Sequence, residues 1–189
     1  MAVKSNLKNM ALCLTAVCLV CSAILAVVYA VTYDPIKAAE KKALVESIGR
    51  VLPGGGELSD VATAEFDGKS FDYYVSTADG APAAYAVKST TIGFGGPLTL
   101  MVGVLPDGTV YNTSVLSHSE TPGLGAKCNT DAKFMDQWKG LGPDKVIKVT
   151  KDGGDIDAIT ASTITSRAYS LAVSNAVAFV KSIVKAEEE

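Results

Sequence analysis

Residues 98–116 read LTLMVGVLPDGTVYNTSVL, and this stretch decides the fold class of the polar part of the chain. It contains two apolar runs, Leu98–Leu105 and Val110–Leu116, separated by a short turn sequence. The Asp107-Gly108 pair in that turn is typical of a β-hairpin, because both residue types tolerate the left-handed backbone that tight hairpin turns require. The stretch therefore predicts two antiparallel strands joined by a short loop.

Working outward, the flanking residues extend this pattern in both directions. On the N-terminal side, apolar runs between turn residues predict three more strands, at Val61–Phe66, Phe71–Ser76 and Ala84–Ser89. Asp67-Gly68 and Asp79-Gly80 mark turns between them. On the C-terminal side, the sequence predicts a short helix at Ala132–Lys139, a strand at Lys145–Thr150 and a closing helix at Thr163–Lys185.

The closing helix supplies the apolar face that such a sheet needs. Its candidate core residues recur at helical spacing: Leu171, Ala172, Ala176, Val180, Ile183 and Val184. Strands followed by a closing helix favour an α+β fold, with an antiparallel or mixed sheet in one domain over residues 58–186.

The N-terminal part of the chain contains a membrane anchor. Residues 10–31, MALCLTAVCLVCSAILAVVYAV, form a run of 22 residues without a charged side chain. A helix of this length spans about 33 Å, close to the ~30 Å hydrocarbon core of a bilayer. Lys4 and Lys8 precede the run and Asp34 follows it. The positive-inside rule then predicts a cytoplasmic N-terminus at residues 1–9 and a domain on the periplasmic side of the inner (cytoplasmic) membrane.

A cleaved signal peptide is the alternative interpretation of the same run, because Val28-Tyr29-Ala30 is a tolerable cleavage site. The run is longer than the roughly 7–15 residues usual for a signal-peptide core, which favours an anchor. Asp34-Pro35 next predicts the start of a juxtamembrane helix over residues 34–52, with Asp34 as N-cap and Pro35 in the first turn.

Charge and cysteine content exclude several functions. The formal net charge is −3 and the chain has no basic tract, which argues against nucleic-acid binding. Cys13, Cys18 and Cys21 lie inside the apolar run, and Cys128 has no partner in the polar part. We therefore expect no disulfide framework and no convergent iron–sulfur ligands. His118 is the single histidine, and no metal site is predicted.

Two polar segments concentrate the side chains that could hold a ligand. Residues 117–127, SHSETPGLGAK, give the candidates Ser119, Glu120, Thr121, Gly123, Leu124, Gly125 and Lys127. Residues 157–166, DAITASTITS, open the closing helix with the hydroxyl groups of Thr160, Ser162, Thr163 and Thr165. Hydroxyl groups beside the free N–H groups of a helix start form a natural phosphate site. Composition alone leaves open that the first segment is only a turn and the second only a helix cap.

Together the two segments resemble the FMN-binding domain shared by the G subunit of the Rnf complex and the C subunit of the sodium-pumping NADH:quinone reductase. The family pattern D-x-x-[ST]-G-A-T-x-[ST]-S is similar to residues 157–166, although Ala161-Ser162 stand where the family usually has Gly-Ala. The SHSETPGLG element and the GFGGPL run at residues 93–98 also resemble the family. The resemblance covers essentially the whole chain. The length of this chain is closer to that of the Rnf G subunit than to that of the longer reductase C subunit.

The resemblance implies a flavoprotein that carries one covalent FMN through a phosphoester on Thr163, attached by a separate flavin transferase that uses FAD. Loop 117–127 would hold the ribityl group and the ring, with Lys127 pairing with the phosphate or with Glu120. His118 would have a structural or hydrogen-bonding role.

The resemblance further implies an electron-transport subunit of an Rnf-type translocase, which couples ferredoxin and NAD+ to ion transport. Its partners would be other membrane and iron–sulfur subunits, since this chain has no complete active site of its own. The alternatives are the equivalent carrier of a Na+-translocating NADH:quinone reductase, a stand-alone membrane flavoprotein reductase or sensor, and an assembly protein without a flavin.

Overall fold

The structure, a computed structural model, describes residues 6–187. It contains two compact units, the first ending at Ala43 and the second beginning at Leu44. The predicted cytoplasmic N-terminus, residues 1–9, lies partly outside the described residues, and so does Lys4.

Helix α1 (Leu7–Val51) contains the predicted anchor. An 18-residue window of α1 has a mean hydropathy of 2.8 and is unburied, so the helix is long and apolar enough to cross a membrane. The predicted start of a separate helix at Asp34-Pro35 needs correction, because Pro35 lies inside the continuous helix. A proline removes one intrahelical hydrogen bond, but helical sequences on both sides of it allow the helix to continue.

The second unit is built around an antiparallel sheet of six strands: β1 (Glu57–Leu58), β2 (Ala62–Phe66), β3 (Lys69–Ala78), β4 (Ala81–Ile92), β5 (Pro97–Val104) and β6 (Val110–His118). The strand order is β1-β3-β4-β5-β6. Strand β2 also pairs with β3, on the same edge as β1 but at the other end of β3. The five strands predicted before residue 117 are confirmed within a few residues at their ends, whereas β1 was not predicted. The α+β fold with an antiparallel sheet is confirmed.

Three Asp-Gly pairs make the turns that the sequence predicts. Both residues of Asp67-Gly68 have positive φ angles, 51° and 68°, and both residues of Asp79-Gly80 do too, 53° and 79°. In the β5–β6 hairpin, the Asp107 carboxylate accepts a hydrogen bond from the backbone N–H of Thr109 at 2.8 Å. These backbone angles match the twist of the flanking strands, which fixes the strand pairing.

After the sheet come two helices, α2 (Ala132–Asp136) and α3 (Thr163–Glu187), both predicted. The strand predicted at Lys145–Thr150 is wrong: the segment makes one isolated bridge, Val149 to Ile156, and ends in a short 3₁₀ turn at Thr150–Asp152. Its backbone forms hydrogen bonds with residues a few positions further along the chain: the N–H of Ile156 donates to the carbonyl of Lys148 at 3.0 Å. These local bonds occupy backbone N–H and C=O groups that pairing with a strand of the sheet would require.

Helix α3 packs on one face of the sheet and forms the main core. The buried side chains that meet there come from alternate strand positions and from one side of the helix: Tyr85, Val87, Leu98, Leu100, Val102, Val173, Ala176, Phe179 and Val180. Leu171, predicted to join this core, is instead 52% exposed. The buried side of α3 is centred on positions 169, 172, 173, 176 and 180, and Leu171 lies on the opposite side.

The last two turns of α1, which belong to the second unit, cover the other face of the sheet. Ile48 and Val51 pack there against Ala86 and Met101. Gly103 in β5 makes this approach possible, because a Cβ atom at that position would collide with the carbonyl oxygen of Val51. The central strands are therefore covered on both faces.

We predict that Gly103→Ala lowers the free energy of unfolding by about 1–3 kcal/mol, since overpacking forces the α1 end away from the sheet. The measurement is urea unfolding of the full chain in detergent. Gly54→Ala is the matched control, because no atom lies within 4 Å of its added Cβ. Equal shifts for the two variants would contradict the close contact at Gly103.

Candidate functional site

The buried carboxylate of Glu120 links two segments that are far apart in sequence. Only 5% of Glu120 is exposed. Its Oε1 accepts a hydrogen bond from the backbone N–H of Phe94 at 2.8 Å, and its Oε2 accepts one from the hydroxyl of Thr165 at 2.7 Å. The backbone N–H of Glu120 donates to Nδ1 of His118 at 3.3 Å. Glu120 thus joins the β4–β5 loop to the first turn of α3.

Glycines surround this carboxylate because side chains would not fit there. A Cβ on Gly93 would collide with Oε1 of Glu120, and one on Gly125 would collide with Oε2. A Cβ on Gly95 would collide with the carbonyl oxygen of Ser119. Gly125 therefore allows close contact with Glu120 itself. Gly123 has a φ of 76° and open space around it, as expected of a turn.

The start of α3 is held by a short network of hydroxyl and carbonyl groups. The carbonyl of Ser162 accepts the first helical hydrogen bond from the N–H of Ser166 at 3.0 Å. The hydroxyl of Ser166 accepts from the N–H of Ile159 at 2.9 Å and donates to the same Ser162 carbonyl at 3.0 Å. Ala161 makes the turn with a φ of 62°. This is the position where the family pattern has glycine, and the left-handed backbone explains that preference.

A cavity of about 340 Å³ opens between these elements. Its walls are Phe94, Glu120, Thr121, Leu124, Gly125, Ala161, Ser162, Thr163, Ile164 and Thr165. Seven of the eleven predicted site residues are among them: Ser162, Thr163, Thr165, Glu120, Thr121, Leu124 and Gly125. The volume lies in the usual range for small-molecule and cofactor sites.

The other four predicted residues lie outside the cavity wall. Thr160 lines a separate depression with Asp131 and Gln137. Ser119 is exposed and approaches Gly95 through its backbone, and Gly123 is exposed as well. Lys127 is exposed in a 3₁₀ turn, and among the described ion pairs none joins it to Glu120.

One wall of the cavity contains a polar group with an unused bonding capacity. The hydroxyl of Ser162 is buried, and within residues 6–187 it has no hydrogen-bond partner. It lies beside the free N–H groups at the N-terminal end of α3, a helix of 25 residues. The buried polar atoms of Ser89, Trp138 and Asn175 are likewise unpaired among the described residues, so the Ser162 hydroxyl is a group that a ligand could pair with and is not by itself a sign of one.

Four residues at this site were not among the predicted site residues: Phe94, Ala161, Ile164 and Lys151. Phe94 and Ile164 line the cavity and are 69% and 51% exposed. Lys151 donates a hydrogen bond from Nζ to the Thr163 hydroxyl at 3.4 Å. The GFGGPL run contained the signal for Phe94, but nothing in the sequence singled out Lys151, which follows the wrongly predicted strand.

The 3₁₀ turn Thr150–Asp152, which contains Lys151, is joined to α3 by two hydrogen bonds. Nε and Nη2 of Arg167 each donate to the Asp152 carboxylate, both at 2.7 Å. This hydrogen-bonded arginine holds the pKa of the Asp152 carboxyl below its usual range. Asp152 stays ionised at neutral pH and keeps the turn against the helix.

Part of the core is a cluster of fully buried aromatic side chains. Trp138 stacks on Tyr169 with ring centroids 4.9 Å apart, and the Tyr169 hydroxyl shares a 2.8 Å hydrogen bond with Thr113. Burial raises the pKa of Tyr169, and burial together with the charge of Glu120 raises the pKa of the Cys128 thiol to about 11. The thiol is therefore protonated and unreactive at neutral pH. No group of three metal-ligating side chains occurs in the part of the chain that the structure describes.

Two protein families and several named relatives match this chain. The FMN-binding domain family matches residues 93–178, and the RnfG N-terminal region family matches residues 1–51. The G subunit of the ion-translocating oxidoreductase complex of Shewanella baltica is 35% identical over 174 residues, covering 84% of this chain and 82% of that protein. The G subunit of the proton-translocating ferredoxin:NAD(+) oxidoreductase complex of Clostridium ljungdahlii is 35% identical over 166 residues, covering 87% and 86%.

Among solved structures, the chain is similar to the C subunit of the Na(+)-translocating NADH-quinone reductase from Parabacteroides distasonis. The TM-score is 0.45 and the sequence identity is 28%, covering 59% of this chain and 62% of that one. A second similar structure is NqrC of Shewanella oneidensis, with a TM-score of 0.49 and 21% identity, covering 67% of this chain and 69% of that one.

We predict that Glu120→Gln lowers the free energy of unfolding by about 1–3 kcal/mol. The uncharged amide would replace the carboxylate that accepts hydrogen bonds from Phe94 in the β4–β5 loop and from Thr165 in α3. Glu65→Gln, at an exposed strand position, is the control and is expected to change it by about 0.5 kcal/mol or less. Thermal and urea unfolding measure both. If Glu120→Gln unfolds like the control, Glu120 does not hold the loop to α3.

We also predict that Ala161→Gly raises the free energy of unfolding by about 0.5–1 kcal/mol. Removing the Cβ relieves a left-handed strain of roughly 1–2 kcal/mol, partly offset by the greater freedom of glycine in the unfolded chain. Ala158→Gly, whose φ is not positive, is expected to destabilise instead. Urea unfolding measures the pair, and destabilisation by Ala161→Gly would contradict the positive φ.

Proposed function

The chain belongs to the family of G subunits of ion-translocating oxidoreductase complexes, and on that premise we propose that it carries one FMN bound covalently to Thr163 and relays electrons within such a complex. The observation that carries this proposal is the Thr163 hydroxyl at the wall of the 340 Å³ cavity, directly after the unpaired Ser162 hydroxyl. The names of the relatives favour an Rnf-type complex over the quinone reductase alternative.

The proposed phosphate position follows from the start of α3. The N-terminal end of a long helix carries partial positive charge and free N–H donors, which stabilise an anion. A phosphate on the Thr163 oxygen would lie beside those donors and beside the Ser162 hydroxyl. Ser162 would then gain the partner that it lacks within the described residues.

The proposed ring position follows from the rim of the cavity. Phe94, Leu124 and Ile164 are 69%, 44% and 51% exposed, although all three are large and apolar. Their side chains offer a surface on which a flat aromatic ring can lie, and Thr121 adds a hydroxyl group at the same wall. FMN, when bound, supplies one- and two-electron transfer. The chain itself holds the ring at the surface, where a redox partner protein can approach.

The attachment reaction asks little of this chain. The Thr163 oxygen forms a bond to the flavin-side phosphorus of FAD, the pyrophosphate bond breaks and AMP leaves. The hydroxyl proton passes to a base that the separate flavin transferase provides. Thr163 is half-buried and therefore open to that enzyme, whereas Glu120, the carboxylate in the cavity wall, already bonds to Phe94 and Thr165. Thr163 acts as an acceptor and tether.

The proposed location is the inner membrane, with the FMN-binding domain on the periplasmic side. Support comes from the charges that flank the apolar part of α1, Lys8 before it and Asp34 after it. A covalent tether suits a carrier outside the cytoplasm, because a dissociated cofactor could not readily be recovered there. The expected partners are the other membrane and iron–sulfur subunits, the flavin transferase and membrane lipid.

We predict that the chain, produced together with a flavin transferase, gives a fluorescent band on a denaturing gel under ultraviolet light. Thr163→Ala is expected to abolish the band because the acceptor oxygen is gone, and Thr163→Ser to retain part of it. Thr160→Ala, outside the cavity wall, is the control and is expected to keep the full signal. Intact mass should show one FMN per chain.

A dark wild-type band with the transferase present would refute covalent flavin on this chain. Fluorescence that persists in Thr163→Ala would move the attachment to another hydroxyl residue. Loss of signal in both Thr163→Ala and Thr160→Ala would indicate recognition of the whole segment rather than a single acceptor.

A further inference from the structure

We propose that Lys151 is the cationic partner of the phosphate on Thr163, and that the Asp152–Arg167 pair holds Lys151 in place for this task. This inference rests on the proposed function and adds a binding residue to it. It concerns a lysine outside both polar segments of the sequence.

The first support is the position of the lysine relative to the acceptor oxygen. Nζ of Lys151 lies 3.4 Å from the Thr163 hydroxyl oxygen. In a phosphoester, the free phosphate oxygens are two bonds from that same oxygen, so a flexible lysine can reach them by a small rotation. An ammonium group is a compact charge with three donors and suits phosphate without a demand on direction.

The second support is that the nearby arginine is already engaged. Both Nε and Nη2 of Arg167 bond to the Asp152 carboxylate at 2.7 Å, so the two charges balance each other. Neither Lys127, the cation expected from the sequence, nor Lys151 is part of the cavity wall, but the described hydrogen bond to the Thr163 hydroxyl comes from Lys151. Lys148 lines a different groove, together with Asp152 and Leu171. In the described chain, Lys151 is the lysine recorded in contact with Thr163.

The third support is that residues next to Thr163 in the sequence supply further groups that can bind a phosphate. The Ser162 hydroxyl is buried and unpaired among the described residues, and the N-terminal end of α3 is adjacent. A phosphate at Thr163 would then meet an ammonium, a hydroxyl and backbone N–H donors. Charge-assisted hydrogen bonds of this kind are the stronger ones in proteins.

The Asp152–Arg167 pair acts as a positioning device for Lys151. The 3₁₀ turn Thr150–Asp152 is only three residues long, and Lys151 is its middle residue. Arg167 comes four residues after Thr163, one helical turn further along α3, so the pair fixes the turn directly against the acceptor. Removing either partner frees the turn and with it the lysine.

The first test is chemical protection, which needs no electron transfer. The full chain, with and without FMN attached, is treated with a limiting acetylating reagent, and each lysine is quantified by mass spectrometry. We expect Lys151 to react at least threefold more slowly in the loaded protein, because its ammonium is engaged by the phosphate. Lys148, on the same segment and also exposed, is expected to react equally in both forms.

The second test measures the rate of flavin attachment in variants. Lys151→Met is expected to slow attachment at least tenfold, since one charge-assisted hydrogen bond to the incoming phosphate is lost. Lys151→Arg keeps the charge and should recover most of the rate, and Lys148→Met removes an equal charge nearby and should retain it. Asp152→Asn, which loosens the turn, is expected to reduce the Lys151 protection measured above.

The outcomes separate this inference from the function on which it rests. A wild-type chain that never acquires flavin overturns the proposed function. A chain that acquires flavin normally, with Lys151 unprotected and Lys151→Met as fast as wild type, overturns the lysine assignment alone. Slow attachment with no protection in the loaded protein would also overturn it, because Lys151 would then contact the transferase and not the phosphate.

Discussion

The hydrogen bonds of the Glu120 carboxylate are the interaction on which the site depends. One oxygen binds the loop between two central strands and the other binds the first turn of α3. Burying a carboxylate is costly unless its oxygens are bonded, so the loop and the helix must both be in place for the domain to fold this way. The cavity is the space left beside that junction. Its walls are consequently positioned by the same contacts that hold the loop to the helix.

Two supports hold the sheet that carries this junction. Helix α3 covers one face with a continuous apolar core, and the end of α1 covers the other through Ile48 and Val51. Because the central strands are buried on both faces, the ends of β4, β5 and β6 are fixed relative to α3. Functional groups attached to such rigid elements keep their separations, which suits the cofactor attachment proposed at Thr163.

Most of the fold could be predicted from the sequence, because alternating apolar residues and Asp-Gly turns are local signals. The cavity was also largely predictable, since nine of its ten wall residues lie in two short segments and seven of them were predicted as site residues. Three errors have separate physical causes. Lys145–Thr150 bonds to its own next residues, Leu171 faces away from the core, and Lys151 reaches Thr163 across twelve positions of sequence. The first depends on a local turn that competes with strand pairing, the second on which side of α3 meets the sheet, and the third on a side-chain contact between separate segments.

The left-handed residue before α3 has a consequence for how this kind of site is defined. Ala161 occupies, with a φ of 62°, the place where the family pattern has glycine. In this chain the position adopts a left-handed backbone without glycine, so the turn requires a positive φ and not one particular residue type. Asparagine and aspartate tolerate the same region of backbone space. Chains with asparagine or aspartate at this position could form the same turn before the helix, and a sequence-motif search that requires glycine there would not find them.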